Sequence, residues 1–476
     1  MVIVCGVLTG LNKGAFNNCG NLTNVSIGNG VTCIEESAFA RCGSLTSITI
    51  PKSVTDIKFE AFYECYKLVE VINNSELTFS KEIQNYVAYY ALNVKKGGTS
   101  DVVNKDDYLF YTYDNTNYLL GYVGNDTRLI LPNNYNGKSY EIYQYAFSGR
   151  SNLTSIILPE SILKIGGFAF NGCSGLTSMI VPENVTKIET FTFNGCKNLE
   201  SISFGNKVTS IEAYAFQDCE SLTSVNIPSS VTKIGGWAFY ECKNLTGVYI
   251  TDIAAWCNIE YYNDTGSNPL YYAKNLYLDG ELVTELVIPD NVTLIRMYAF
   301  ERCSSLTNVS IGNRVTSIEG YAFFGCDNLT SVSFPNSLTN IGGRAFRGCT
   351  KLASINIPNS VTSIGEGAFS DCRNLKTVAL PKNLTSIESS LFFGCASLTS
   401  ISIPNSVTCI ESYAFYGCER LKNVAIPNSM KSIGFNAFDS CRSLEEVNYK
   451  GTETEWQKIS IGDCNENLTN AKRNYI

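Results

Sequence analysis

Nineteen cysteines and no histidine stand among the 476 residues of this chain. A thiol can act as nucleophile, metal ligand or half of a disulfide. The lack of histidine removes the commonest general base and the commonest metal ligand. No C-x-x-C pair occurs, so the spacing of zinc ribbons and thioredoxin-like centres is absent. What the cysteines do have is a period. Cys19, Cys42 and Cys65, then Cys173, Cys196, Cys219 and Cys242, then Cys303, Cys326, Cys349, Cys372, Cys395, Cys418 and Cys441 each stand three residues after a Phe. Within each block the step is 23. At Phe147 alone the ladder breaks, with Arg150 in place of Cys. Blocks of three, four and seven give no uniform pairing, although stacked counterparts about 5 Å apart would be within disulfide reach. Reduced thiols, buried as small apolar side chains, are the expectation. Cys5, Cys33, Cys257, Cys409 and Cys464 fall off the period and are expected to be the more reactive ones.

Nothing else in the sequence assembles into catalytic machinery. There is no G-x-S-x-G, no G-x-G-x-x-G and no phosphate loop. Without His a hydrolase would need a carboxylate pair, and spacing singles none out. A carboxylate recurs at Glu35, Glu189, Glu212, Glu319, Glu388 and Glu411. Stacked like charges point weakly toward calcium, but Gly alternates with Glu at this position, so solvated charges are expected. The reading is therefore a non-enzyme, with no catalytic residue, no metal site and no cofactor. The net charge is −8 without a basic run, which argues against nucleic acid as a partner. No apolar stretch approaches the ~20 residues of a membrane helix.

The elements that carry the period are legible in residues 397–418, SLTSISIPNSVTCIESYAFYGC. The unit is L-x-x-I-x-I-P-x-S-V-T-x-I-G/E-x-x-A-F-x-x-C. Leu-x-x-Ile-x-Ile is the pattern of a strand whose alternate residues point inward. Pro404 ends it, because proline has no N–H to give the ladder. V-T-x-I reads as a second short strand and A-F-x-x-C as a turn of helix at most. One such coil has no second apolar layer to close on, so coils must stack. The expected fold is a β-rich leucine-rich-repeat solenoid, with one parallel strand per coil, short second strands and helical turns. It has about fifteen coils, one for each marker Phe from Phe16 to Phe438, and two inserts.

At these residues the unit resembles the BspA-like leucine-rich repeat, and the match covers about three quarters of the chain. The resemblance implies a cell-surface or secreted protein that binds host matrix, mucin, glycan or partner-cell ligands through an extended face. The alternative is a structural spacer of a larger surface protein. A monomer with a protein or glycan partner is expected.

The period divides the chain into repeat blocks at 1–72, 125–250 and 282–450. Between them lie an aromatic hairpin at 73–124, with its turn at Asp114–Asn117, and a Trp-containing junction at 251–281. Residues 451–476 repeat the junction, with Trp456 and Ile459 matching Trp256 and Ile259, and read as a cap. The chain opens in mid-coil, with Val2 and Val4 in the positions of Val25 and Ile27. This leads to the expectation of a fragment whose leader lies upstream.

Two surfaces are candidates for binding. The residue before A-F is aromatic in seven successive coils: Tyr145, Phe168, Phe191, Tyr214, Trp237, Tyr298 and Tyr321. Packing between coils explains such a row; a platform for sugars or an extended peptide is the functional reading. The outward strand positions, such as Ser201, Ser203, Ser331, Ser333, Ser400 and Ser402, are mostly small and hydroxylic and suit a broad polar face.

Overall fold

A computed structural model describes residues 2–4, 9–81, 87–262 and 266–476. Cys5 lies outside them. The chain forms two compact units, one running through Val208 with Tyr214–Glu220, the other Thr209–Ala213 with Ser221–Ile476. The division falls inside the second repeat block and not at either insert.

Each coil is built as its residues dictate. In the coil of residues 398–418, Leu398, Ile401, Ile403, Val407, Ile410, Ala414, Phe415 and Cys418 are all buried. The strand Ser400–Ser402 turns Ile401 inward and both serines outward. Cys409–Ile410 is the short second strand. A-F-x-x-C is a run of hydrogen-bonded turns and not a helix, with Tyr416 N donating to Tyr413 O and Cys418 N to Phe415 O, both at 3.1 Å.

Three sets of bonds tie this coil to the next. Ser400–Ser402 pairs in parallel with Asn423–Pro427, and Cys409–Ile410 pairs with Ser432–Ile433. Phe415 N donates to Ala437 O at 2.8 Å. Threonine hydroxyls add a fourth tie, as in Thr330 Oγ1 to Thr307 O at 2.9 Å. Like side chains therefore sit over like. Phenylalanines stack face to face, with centroids 5.3 Å apart for Phe147 and Phe170 and 5.2 Å for Phe300 and Phe323.

The thiols have a task in this stack. Cys196 Sγ donates to Phe170 O at 3.2 Å, Cys326 Sγ to Phe300 O at 3.2 Å and Cys441 Sγ to Phe415 O at 3.1 Å. In each case the acceptor lies 26 residues earlier, on the preceding coil. That carbonyl already accepts the amide of its own coil's Cys, so the thiol fills its second lone pair in a dry core.

The inserts are sewn into the same ladders. Within 73–124, Asn93–Lys95 extends the sheet of Glu70–Asn73. Val103–Lys105, Tyr108–Tyr113 and Thr116–Tyr122 then form an antiparallel meander. Asp114 and Asn115, with φ of 48° and 60°, make its two-residue turn, the left-handed pair that a type I′ hairpin needs. Thr116 and Asn117, expected in the turn, belong to the second strand. That strand pairs in parallel with Glu141–Ile142. In 251–281 a helix Ile253–Cys257, capped by Asp252, precedes strands Glu260–Tyr261 and Leu276–Leu278. These continue the two ladders of the coil before. Residues 451–476 do the same with Ser460–Ile461 and Lys472–Tyr475. Coils thus outnumber the fifteen marked by Phe, because strand pairing is a backbone property and needs no Phe.

Burial sets an order of thiol reactivity. Among the described cysteines, native protein treated with a disulfide reagent should lose exposed Cys464 first, then half-buried Cys19, Cys33 and Cys409. The fourteen buried cysteines should react only as the chain unfolds in denaturant. Time-resolved thiol counting checks this, and rapid labelling of Cys326 or Cys349 in native buffer would contradict it.

Candidate binding surface

The aromatic row occupies an unusual backbone position. Tyr145, Phe168, Phe191, Tyr214, Trp237, Tyr298 and Tyr321 all have φ between 51° and 64°. Gly14 and Gly367 take the same conformation where the row is not aromatic. Each coil must reverse direction here, and a residue with a side chain does so at a cost of about 1–2 kcal/mol. Stacking offsets the strain. Tyr145 lies 4.6 Å from Phe168, Phe168 4.7 Å from Phe191 and Phe191 4.4 Å from Tyr214, all near parallel. Tyr66 extends this stack below Tyr145 at 4.2 Å.

In the second unit Tyr298 and Tyr321 stack at 5.1 Å, and the Arg344 guanidinium sits 5.6 Å from the Tyr321 ring centre. Trp237 is half-buried in the coil that precedes the junction. The seven residues therefore fall into groups, four in the first unit and three in the second. Rings inside a stack spend their faces on one another and present edges outward.

The outward strand face carries a feature that the serine pattern hid. Ile130, Ile157 and Ile180 are 71%, 57% and 70% exposed. All three are third residues of their strands, Arg128–Ile130, Ser155–Ile157 and Ser178–Ile180. Ile130 and Ile157 are direct parallel partners, and Ser203 continues the register beyond Ile180. In the second unit the equivalent positions include Tyr249 and Tyr277, stacked at 4.5 Å, and exposed Val287. Beyond them the face turns hydroxylic, and its groups bond to each other: Ser331 Oγ donates to Asn308 Oδ1 at 2.7 Å and Ser333 Oγ to Ser310 Oγ at 3.2 Å. A shallow groove of about 300 Å³ runs over these residues. In the sequence the exposed isoleucines stand in Leu129-Ile130-Leu131, Ile156-Ile157-Leu158 and Met179-Ile180-Val181, three apolar residues where the unit asks for two, runs that read equally as core.

This geometry can be set beside known proteins. The model of the BspA type leucine rich repeat region (6 copies) matches residues 7–116, 137–263, 274–364 and 339–469. The chain belongs to the BspA-type leucine-rich repeat family. A leucine-rich repeat protein from Bacteroides ovatus shares 25% identity over 79% of this chain and 100% of that one, with a TM-score of 0.50. A leucine rich cell surface protein from Faecalibacterium prausnitzii shares 28% identity over 76% of this chain and 98% of that one, with a TM-score of 0.45. Comparison with curated proteins returns no match.

In this BspA-type solenoid three of the four described off-period cysteines, Cys33, Cys409 and Cys464, are more accessible than nearly all ladder cysteines, but none has a lowered thiol pKa. Burial and the Glu35 carboxylate push the Cys33 thiol up to about 11. Burial and Glu411 raise Cys409, burial raises Cys257, and desolvation with Glu466, Asp439 and Asp463 raises Cys464. Every shift disfavours the thiolate, and these side chains are poor nucleophiles at neutral pH. The recurrent carboxylates have local partners: Cys33 donates to Glu35 at 3.2 Å, Glu189 pairs with Lys187 at 3.2 Å, and Glu319 accepts Met297 N at 2.9 Å.

Two predictions concern the aromatic row and the buried Glu301 in the turn that follows Tyr298. Phe168→Gly loses two stacking contacts but relieves the left-handed backbone, whereas Phe168→Ala loses the contacts and keeps the strain. The Ala variant should be the less stable of the two, by on the order of 1 kcal/mol in urea unfolding. The reverse order would refute the strain. The second prediction concerns Glu301, whose carboxyl burial pushes up to about 7 against the pull of Arg302. The folded chain then holds a proton that the unfolded chain releases from about pH 4.5 upward, so stability falls as pH rises from there to about 7. Glu301→Gln should flatten this part of a melting-temperature profile and raise stability above pH 7. An unchanged profile would count against it.

Proposed function

We propose that this protein is a non-catalytic adhesion or interaction protein of the cell surface or extracellular space, which binds through the outward face of its stacked strands. The row Ile130, Ile157 and Ile180 carries this reading. Three neighbouring isoleucines facing solvent cost solubility and contribute nothing to the core, so their use is against a partner. Covering one such side chain contributes about 1.5–3 kcal/mol, enough for the row to act as the anchor of an interface. The serines and asparagines of the same face supply the polar surround. Family membership supports a surface or secreted setting, and host matrix proteins, mucins, glycans or partner cells are the ligand classes that suit it. Tyr145, Phe168, Phe191, Tyr214, Trp237, Tyr298 and Tyr321 join as a supporting element, with their outward ring edges offered to a glycan.

The test is a solid-phase binding panel of matrix proteins, mucins and glycans, run with the wild type and with Ile130→Ser, Ile157→Ser and Ile180→Ser combined. Saturable binding to one class, weakened at least tenfold in a variant that melts like the wild type, is expected. Binding that survives the triple exchange would move the interface elsewhere. No binding to any class would favour the spacer role.

A further inference from the structure

Arg150 is the one residue that breaks the cysteine ladder, and the structure gives the break a consequence. Its Nη2 donates to Gly124 O at 2.8 Å, the carbonyl 26 residues earlier, as each ladder thiol donates to a carbonyl 26 residues earlier. One donor therefore does the thiol's work. Nη1 takes Tyr122 O at 2.6 Å, and Nε is buried without a partner. A full positive charge has been brought where a neutral thiol would have sufficed.

A second cation is beside it. Lys67 Nζ donates to Ala146 O at 2.9 Å, across 79 residues of sequence. Both line a pocket of about 350 Å³ where the hairpin strand re-enters the repeat. Among the described residues no Asp or Glu lines this pocket. Its other polar side chains include the hydroxyls of Thr23, Ser44, Thr46 and Ser151 and the amides of Asn21, Asn125 and Asn152, with Tyr122 also in the wall. Gly121 forms part of the wall, and a Cβ there would lie 2.7 Å from Ala146 O and 3.4 Å from Lys67 Nζ. Burial and the Arg150 charge push the Lys67 ammonium down to about 8, the mark of a cation without a counter-charge. Carbonyl dipoles orient these groups but leave their net charge uncancelled, and buried charges are as a rule paired.

We infer that the pocket around Lys67 and Arg150 is a binding site for a small oxyanion, a carboxylate or sulfate carried on a hydroxylated ligand such as an acidic sugar. The oxyanion takes the remaining donors of Lys67 beside the Arg150 charge, and the hydroxyl and amide lining receives the polar body. The volume suits a monosaccharide-sized ligand. This site is independent of the strand face proposed above, and either can fail without the other.

The experiment is calorimetric titration of the full chain with sodium glucuronate, sodium sulfate and glucose, at pH 7 and constant ionic strength in sodium chloride. Saturable one-to-one binding of glucuronate or sulfate is expected, with no heat of binding from glucose. Tighter glucuronate identifies an acidic sugar, and tighter sulfate a sulfate ester or the free ion; both support the site. Arg150→Cys, which restores the ladder residue, and Lys67→Met, which keeps the apolar stem, should each weaken binding at least tenfold. Absence of saturable binding by either anion to the wild type would overturn the proposal, whatever the variants do. So would wild-type affinity in both variants, each shown to melt cooperatively.

Discussion

Everything in this protein depends on one constraint: a coil must place its hydrogen-bonding backbone directly against that of the coil before. Phe39 N meets Ala61 O at 2.8 Å, Phe170 N meets Thr192 O at 2.9 Å, and the strand pairs hold the same register on the other side of the coil. Because the offset is fixed, each side chain sits over its counterpart. Inside, that arrangement favours rows that pack well on themselves, which is why phenylalanine repeats at one position and a small thiol at another. Outside, strand positions one and three face solvent and tolerate different side chains, from isoleucine to serine.

The same constraint explains two local costs. Within each coil the A-F-x-x-C turn uses left-handed backbone at two points four residues apart, as at Tyr413 and Gly417. One falls before Cys, where Gly172, Gly195, Gly348 and Gly417 have φ near 70°. The other falls before A-F, where aromatic residues accept strain and recover it by stacking. Where the ladder thiol is replaced, by Arg150, the carbonyl it served is still satisfied, but with an excess of charge that the neighbouring Lys67 compounds. A departure from the repeat is thus the place where new chemistry enters.

The repeat, the inward row Leu398, Ile401, Ile403, the burial of the ladder cysteines after half-buried Cys19 and the solenoid architecture were all legible in the sequence, because each follows from period and polarity alone. Other features were not. The outward isoleucines were masked because Ile157 and its neighbour Ile156 both look like core residues until the pleat assigns them opposite faces. The left-handed backbone at Phe168 has no signature when the residue is not glycine. The pocket joins Lys67 to Ala146, far apart in sequence, through a hairpin whose path no local pattern specifies. The aromatic row was correctly located as residues, but whether its rings offered faces or edges depended on a coil spacing that only the stacked structure supplies.

The most direct measurement of the central constraint is native-state hydrogen exchange resolved by residue. The account predicts that the A-F turn amides of Phe39, Phe170 and Phe323, which donate to the next coil, exchange as slowly as the amides of the main strands in the same unit. The exposed hairpin turn at Asp114–Asn115 should exchange far faster. Rapid exchange at the A-F turns, equal to that of the hairpin turn, would show that the coils are not held to one another there and would contradict the account.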